Sequence, residues 1–423
     1  MSYFLLLIGL LLIGMPISIS LLVVGLLYMF LTGQVDMIVA AQRIATGLDS
    51  SSLLAIPFFL LAGNLMNMTG ITNKIFNLAS ILVGHIRGGL AHVNVVGSMI
   101  FAGMSGSAVA DAAGLGAIEM KAMVDEGFDL DFSAAVTAAS STIAPIIPPS
   151  ISGTIYALAA GVSIGGVFLA GVLPGILMGI TMMVLVYFIS KKRNYPVRPR
   201  GTMKQFFKAF IEALPALMAP LLMMGGILTG VFTATEAGVF GSLYAMVLGF
   251  VSKELKLKDL PEVLLDTLKT AGDTLFIIGV TALIGWILTL EQVPMRMAQW
   301  IATIAPTPGL FLLLLNVILL LLGCFMASSP VIVMCTPIVL PVALMMGIDP
   351  IHLGIIIVLN LMIGLITPPV GVCLYAVSAV AKMPVMKVAK AVIPFYVPLL
   401  ICLLITTYWP DFVLFLPRIL GFA

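Results

Sequence analysis

Ala144-Pro145-Ile146-Ile147-Pro148-Pro149-Ser150 and Gly364-Leu365-Ile366-Thr367-Pro368-Pro369-Val370-Gly371 are the two stretches on which the fold of this chain turns. Each lies inside a long apolar run. Proline removes a backbone N–H and displaces the carbonyl four residues earlier, so two in succession unwind a helix. In hydrocarbon every freed backbone group costs several kcal/mol unless something satisfies it. Unwound carbonyls can take a hard cation such as Na⁺, and the N-terminus of the helix that resumes attracts an anion. The plainer alternative is a proline kink eased by Ser and Thr back-bonding.

The surroundings make these runs membrane segments. No Asp, Glu, Lys or Arg occurs between Asp131 and Lys191, or between Arg296 and Asp349. Of the 423 residues, 61% are hydrophobic and only 9% charged, with a mean hydropathy of +1.22. That excludes a water-soluble domain, which carries about 25% charged residues, and it excludes intrinsic disorder. A spanning helix needs ~20 apolar residues, so ten to twelve hydrophobic helices are expected. The apolar runs are continuous rather than alternating, which excludes a barrel. The expected class is therefore an all-α polytopic membrane protein. A net charge of +2 gives no footing for nucleic acid. The start is apolar from Tyr3 and the first basic residue is Arg43, so it reads as a retained helix rather than a secretory signal. Cys324, Cys335, Cys373 and Cys402 lie singly in apolar segments and read as small buried hydrophobes.

Fourteen of the 20 basic residues form three clusters: Lys191 to Lys208, Lys253 to Lys269, and Lys382 to Lys390. Basic loops stay cytoplasmic, so all three are placed inside. Residues 34–48 and 259–270 are too short and too polar to cross, and are expected to lie along the interface.

The proline pairs are separated by 220 residues. The same shift superposes other helix breakers: Gly103 on Gly323, Gly127 on Gly347, Asp129 on Asp349, and Gly89-Leu90 on Gly309-Leu310. The chain therefore reads as two repeats, 1–203 and 204–423. Each holds scaffold helices, an interfacial arm, a hairpin (about 89–123 and 309–346) and a broken helix (about 131–160 and 350–380). An odd number of crossings per half inverts one repeat relative to the other, a hallmark of secondary transporters. On this count the first hairpin opens to the cytoplasm and the second to the periplasm. Two full spans in place of each re-entrant hairpin would give the same parity.

Each hairpin has a small polar tip: Gly103-Met104-Ser105-Gly106-Ser107-Ala108, and Gly323-Cys324-Phe325-Met326-Ala327-Ser328-Ser329-Pro330. Candidates to face a substrate are Ser107, Ala108, Asp111, Pro149, Ser150, Ser152, Ser328, Ser329 and Pro369. An intramembrane Asp111 is a functional candidate by default; alternatively it complements the dipole of the second hairpin arm. Thr233-Ala234-Thr235-Glu236 reads as a capping box. His85, His92 and His352 lie near segment ends and are expected at the interface. No HExxH, Walker A, G-x-S-x-G or paired-carboxylate motif appears, so nothing supports an enzyme or an organic cofactor.

Together these segments resemble the large membrane subunit of tripartite ATP-independent periplasmic (TRAP) transporters, over essentially the whole chain. The resemblance rests on Gly14-Met15-Pro16-Ile17, Leu54-Ala55-Ile56-Pro57-Phe58-Phe59, Gly106-Ser107-Ala108-Val109-Ala110-Asp111, Ile147-Pro148-Pro149-Ser150, Phe232-Thr233-Ala234-Thr235-Glu236-Ala237 and Thr367-Pro368-Pro369-Val370-Gly371. The family commonly has Pro where Ala234 stands, a departure that touches only the cap. The resemblance implies an elevator-type ion-transporter fold in the bacterial inner membrane. It implies Na⁺-coupled uptake of an organic acid anion: a C4-dicarboxylate, sialic acid, or another sugar or keto acid. It also implies a periplasmic binding protein and a separate small four-helix membrane subunit as partners. Carried onto this chain, one Na⁺ site takes Ser105, Ser107, Ala144, Ile146 and Pro148. The other takes Ala327, Ser328, Gly364, Thr367 and Val370. The competing readings are a stand-alone Na⁺- or H⁺-coupled dicarboxylate or citrate carrier, and a non-transporting assembly subunit or an intramembrane enzyme; H⁺ in place of Na⁺ would have Asp111 as its carrier.

Overall fold

A computed structural model describes residues 6–7, 9–10, 13–33, 35–69, 71–293, 296 and 304–422. Tyr3, where the expected N-terminal helix begins, and Gln34, the first residue of the expected arm, lie outside the described residues. All regular structure among the described residues is helical, and 8 helices are long and apolar enough to cross a membrane.

The first half runs α1 (Ile17–Thr32), α2 (Ile38–Leu48), α3 (Ala55–Met68), α4 (Ile71–Val83), α5 (Gly89–Ser105), α6 (Ala108–Ala113), α7 (Leu115–Asp125), α8 (Leu130–Ser141), α9 (Ile151–Ala160) and α10 (Ile164–Arg193). The second half runs α11 (Met203–Leu228), α12 (Ala234–Val251), α13 (Leu260–Leu290), α14 (Pro308–Phe325), α15 (Ser328–Met345), α16 (Pro350–Gly364), α17 (Val372–Ala381), α18 (Val385–Val392), α19 (Tyr396–Tyr408) and α20 (Pro410–Ile419). The 220-residue shift carries α5 to 309–325, against α14 at Pro308–Phe325. It carries the span of α6 and α7 to 328–345, the bounds of α15, and α9 to 371–380, against α17 at Val372–Ala381.

The helix ends follow local chemistry. Thr202 and Thr233 close capping boxes with Gln205 and Glu236 at the starts of α11 and α12, the second as expected. At 30 residues α10 is about 45 Å long by the 1.5 Å rise. It carries Lys191, Lys192 and Arg193 against its C-terminal dipole and stops at Asn194, in the left-handed region. The broken helices form the centre. Every residue of α16 from Ile351 to Gly364 is buried, as is α8 from Phe132 to Ser141. Helices apolar or small all round belong in such a core. Asparagines tie each hairpin to its broken helix. Ser140 donates to Asn94 Oδ1 at 2.6 Å in the first half, and Asn360 Nδ2 to Asn316 Oδ1 at 2.8 Å in the second.

Four features depart from expectation. Residues 259–270 are not a separate arm but the first turns of the unbroken 31-residue α13. Asp49-Ser50-Ser51-Ser52 ends the corresponding α2, whereas the equivalent positions of α13 are Lys269-Thr270-Ala271-Gly272, where the one glycine costs about 1 kcal/mol and does not stop the helix. Helix α4 was not anticipated. The second arm of the first hairpin is itself broken at Gly114. His92 and His352 are buried rather than interfacial, and the His352 ring lies 2.7 Å from the carbonyl of Thr406.

Candidate ion and substrate site

Helix α8 ends at three successive hydroxyls. Ser140, Ser141 and Thr142 donate back to the carbonyls of Thr137, Ala138 and Ala139 at 3.2, 2.9 and 2.6 Å. These bonds satisfy the last turn. The chain then runs without regular helix to Ser150, which is more than a kink. Ser150 restarts it: its hydroxyl accepts from Gly153 N at 2.8 Å and donates to the carbonyl of Pro145. Both proline pairs contain a cis peptide bond. Between these ends the carbonyl oxygens of Ala144, Ile146 and Pro148 accept no hydrogen bond among the described residues.

The first hairpin tip packs onto that break. Gly106, at φ +57°, lies so close that a Cβ there would be 2.7 Å from the Pro149 carbonyl oxygen. Only glycine accepts both the left-handed backbone and this approach. Ser105 is buried and its hydroxyl has no partner among the described residues. Ser107 caps α6, accepting from Ala110 N at 3.4 Å. Ser105, Ser107 and the three free carbonyls thus belong to one junction, rich in oxygen and poor in donors.

The second junction repeats the arrangement. Gly323 and Gly364 meet backbone to backbone, and the Cys324 carbonyl accepts from Val370 N at 3.0 Å and Gly371 N at 3.3 Å. Thr367 donates its hydroxyl to the carbonyl of Ile363 at 2.8 Å. The two junctions differ in access. Pro148, Pro149 and Ser150 are buried, while Pro368, Pro369 and Val370 are exposed, as is Ala327 before the start of α15.

The halves meet at Ser152 and Ser328, whose hydroxyls are 3.3 Å apart. Ser152 is in the first turn of α9 and Ser328 begins α15, with Ser329 beside it. First-turn N–H groups have no intrahelical acceptor, so two positive helix ends converge on one place. Ala108 is buried at the start of α6.

Asp111 lies inside the hairpin rather than at this meeting point. Its Oδ2 accepts from Ser98 at 2.7 Å. Glu119, not singled out in the sequence, is buried beside it, within electrostatic reach and pressed against Gly97, where a Cβ would collide with its carboxylate. Asp111 Oδ1 and both oxygens of Glu119 meet no donor among the described residues. Buried charges without partners are neutralised by a cation or a proton. The flanking Met120-Lys121 gives Glu119 the look of a solvated helix end, and no sequence signal pairs it with Gly97.

A polytopic helical membrane protein with broken helices and paired hairpins meeting at its centre belongs among the transporters. Residues 4–412 match the family model of the tripartite ATP-independent periplasmic transporter, DctM component. The sialic acid TRAP transporter large permease protein of Vibrio cholerae is 46% identical over 418 residues, covering 98% of each chain. A C4-dicarboxylate TRAP transporter large permease protein of Pseudomonas aeruginosa is 40% identical over 373 residues, covering 88% of this chain and 87% of its own. The YdaH transporter of Alcanivorax borkumensis shares the fold at a TM-score of 0.64 and 14% identity, covering 88% of this chain and 87% of that one. The chain belongs to the TRAP transporter large permease family. It is a multi-pass inner-membrane transport subunit and not an enzyme.

Proposed function

We propose that this subunit couples the entry of Na⁺ to uptake of an organic acid anion, by alternating access at the meeting point of Ser152 and Ser328. The observation that carries the reading is the convergence there of two helix N-termini, flanked by two oxygen-lined breaks. Positive helix ends suit a carboxylate, and free carbonyls with hydroxyls suit a hard cation. One Na⁺ is assigned to Ser105, Ser107, Ala144, Ile146 and Pro148. The unpaired Ser105 hydroxyl and the unpaired carbonyls support this assignment. The second is assigned to Ala327, Ser328, Gly364, Thr367 and Val370, whose junction is open to a ligand. Ser150, Ser152, Ser328 and Ser329 supply hydroxyls to the anion beside Ser107, Ala108, Pro149 and Pro369. Asp111 acts from within the hairpin.

The equivalence of elements at a 220-residue shift supports two repeats, 1–203 and 204–423, of inverted topology. In this reading hairpins and broken helices move together as an elevator against a scaffold of the remaining helices. The substrate class follows the relatives, one named for sialic acid and one for C4-dicarboxylates, both acids. The word tripartite in the family description supports two partners, a small membrane subunit and a periplasmic binding protein. The test is the melting temperature of the purified chain in NaCl against choline chloride at equal ionic strength. A ligand at ~100 times its dissociation constant stabilises by ~2.7 kcal/mol. A saturable, Na⁺-specific rise is expected; no difference between the two salts would remove Na⁺ from this subunit.

A further inference from the structure

A second charged feature lies away from the transport site, where α10 ends. A cavity of about 500 Å³ opens between Asp131 and Phe132 of α8, Ile189 and Arg193 of α10, Lys387 and Lys390 of α18, and the turn at Pro394 and Phe395. Its cations are unequally compensated. Arg193 donates to Asp129 at 2.8 Å and to Tyr195 at 3.2 Å, and lies 3.4 Å from Asp131. Both nearby carboxylates are thereby engaged. Lys387 and Lys390 have no carboxylate within 4.0 Å among the described residues, so two ammonium groups face the cavity without counter-charge.

An apolar row starts next to Pro394, which lines the cavity. Helix α18 buries Val388, Ala389 and Val392 and turns its lysines outward, at the start of the 24-residue apolar run Val385–Tyr408 that continues through the turn at 393–395 into α19. From its end, Ile393, Val397, Ile401 and Leu404 form an exposed row at helical spacing along α19. A soluble anion would use the lysines alone. A molecule with an anionic head and hydrocarbon tails would use both. The three basic clusters place this end of the helices on the cytoplasmic side.

We infer that this cavity is a binding site for an anionic phospholipid of the cytoplasmic leaflet. Its phosphodiester lies between Lys387 and Lys390, and its acyl chains lie along the row from Ile393 to Leu404. The site is separate from the Ser152–Ser328 meeting point. It bridges the start of the first broken helix to the connector that follows the second, so an occupied site holds α18 against α8 and α10.

The test is thermal melting of the whole chain in a fixed detergent, titrated with phosphatidylglycerol, phosphatidylcholine or soluble glycerol 3-phosphate. Phosphatidylglycerol should raise the melting temperature saturably, and the other two should not. At about one kcal/mol for each lysine near an anionic surface, the double variant K387Q/K390Q should need about 30-fold more phosphatidylglycerol. The variant K191Q/K192Q removes two equally exposed lysines outside the cavity and should leave the midpoint unchanged. Three results would overturn the site: equal stabilisation by phosphatidylcholine, equal stabilisation by glycerol 3-phosphate, or the same midpoint shift in both double variants. Melting in phosphatidylcholine reports whether K387Q/K390Q is folded. If it is not, K387Q alone should shift the midpoint about fivefold, and no shift in that variant would equally overturn the site.

Discussion

Gly364→Ala tests the second Na⁺ junction where the structure leaves least room. A Cβ on Gly364 would stand 2.5 Å from the Cα and the carbonyl carbon of Gly323, and 2.9 Å from its carbonyl oxygen. Carbon atoms rest at about 3.5–4.0 Å, so the tip of the second hairpin and the end of α16 must part by about 1 Å. Overpacking of this size costs about 1–3 kcal/mol. Both neighbours are backbone, so no side chain can swing away to relieve it. The displacement falls where the Cys324 carbonyl is bonded by Val370 and Gly371. If the bound state needs the two elements in contact, the cost comes out of Na⁺ affinity, which should weaken about 5- to 150-fold. Gly323→Ala is the internal comparison. Its Cβ would lie 3.1 Å from the Gly364 Cα and 3.3 Å from the Leu361 Cα, so a shift of a few tenths of an ångström suffices and the loss should be smaller. The assay is the Na⁺ concentration at half-maximal rise of the melting temperature, with choline chloride as baseline. A folded Gly364→Ala protein with an unchanged midpoint would refute the placement of Na⁺ at this junction.

Other substitutions test other parts. Ser107→Ala should reduce uptake while leaving expression intact, because its hydroxyl makes one long cap bond that a structural role would scarcely register; wild-type uptake would remove it from the site. Ser150→Ala should lower stability by about 1 kcal/mol, as cap losses do, since it deletes bonds to both Gly153 and Pro145; a melt reads this directly. Glu119→Gln should fold as well as the parent, since neither carboxylate oxygen meets a donor among the described residues and the amide removes an unpaired charge, whereas Gly97→Ala should lower the melting temperature by driving a Cβ into Glu119. The Tyr195 hydroxyl, with Arg193, holds the Asp129 carboxyl below its usual 3.8. A depressed carboxyl contributes stability above the unfolded value and loses it as pH falls through the folded one. Asp129→Asn should therefore cost less than ~1 kcal/mol at pH 6, as exposed pairs do. The difference in melting temperature from wild type should close below pH 3.8.

The sequence carried the centre of the molecule better than its edges. Consecutive prolines and glycine-serine tips are breakers with few alternative meanings in hydrocarbon: the tips fall at the ends of α5 and α14, and the proline pairs lie in the breaks that follow α8 and α16. The arms were harder. Residues 34–48 and 259–270 have similar polarity, but a serine run follows the first, whereas Ala271-Gly272 follows the second, and isolated glycines at Gly272, Gly279 and Gly285 do not stop a 31-residue helix. Glu119 was invisible because its meaning depends on Gly97, a contact that sequence spacing does not report. The histidines misled for a related reason: a residue near a helix end can still be covered by a neighbouring helix. His352 is one turn from the start of α16 yet is covered by α19.

The central claim is Na⁺-coupled uptake of a delivered anion. Its most direct measurement is flux into proteoliposomes holding this chain and its small membrane subunit, with the binding protein and a labelled organic acid outside. An inward Na⁺ gradient should drive accumulation that stops when choline replaces Na⁺, and that fails without the binding protein. Accumulation at the same rate in choline, driven by a pH gradient alone, would contradict the account.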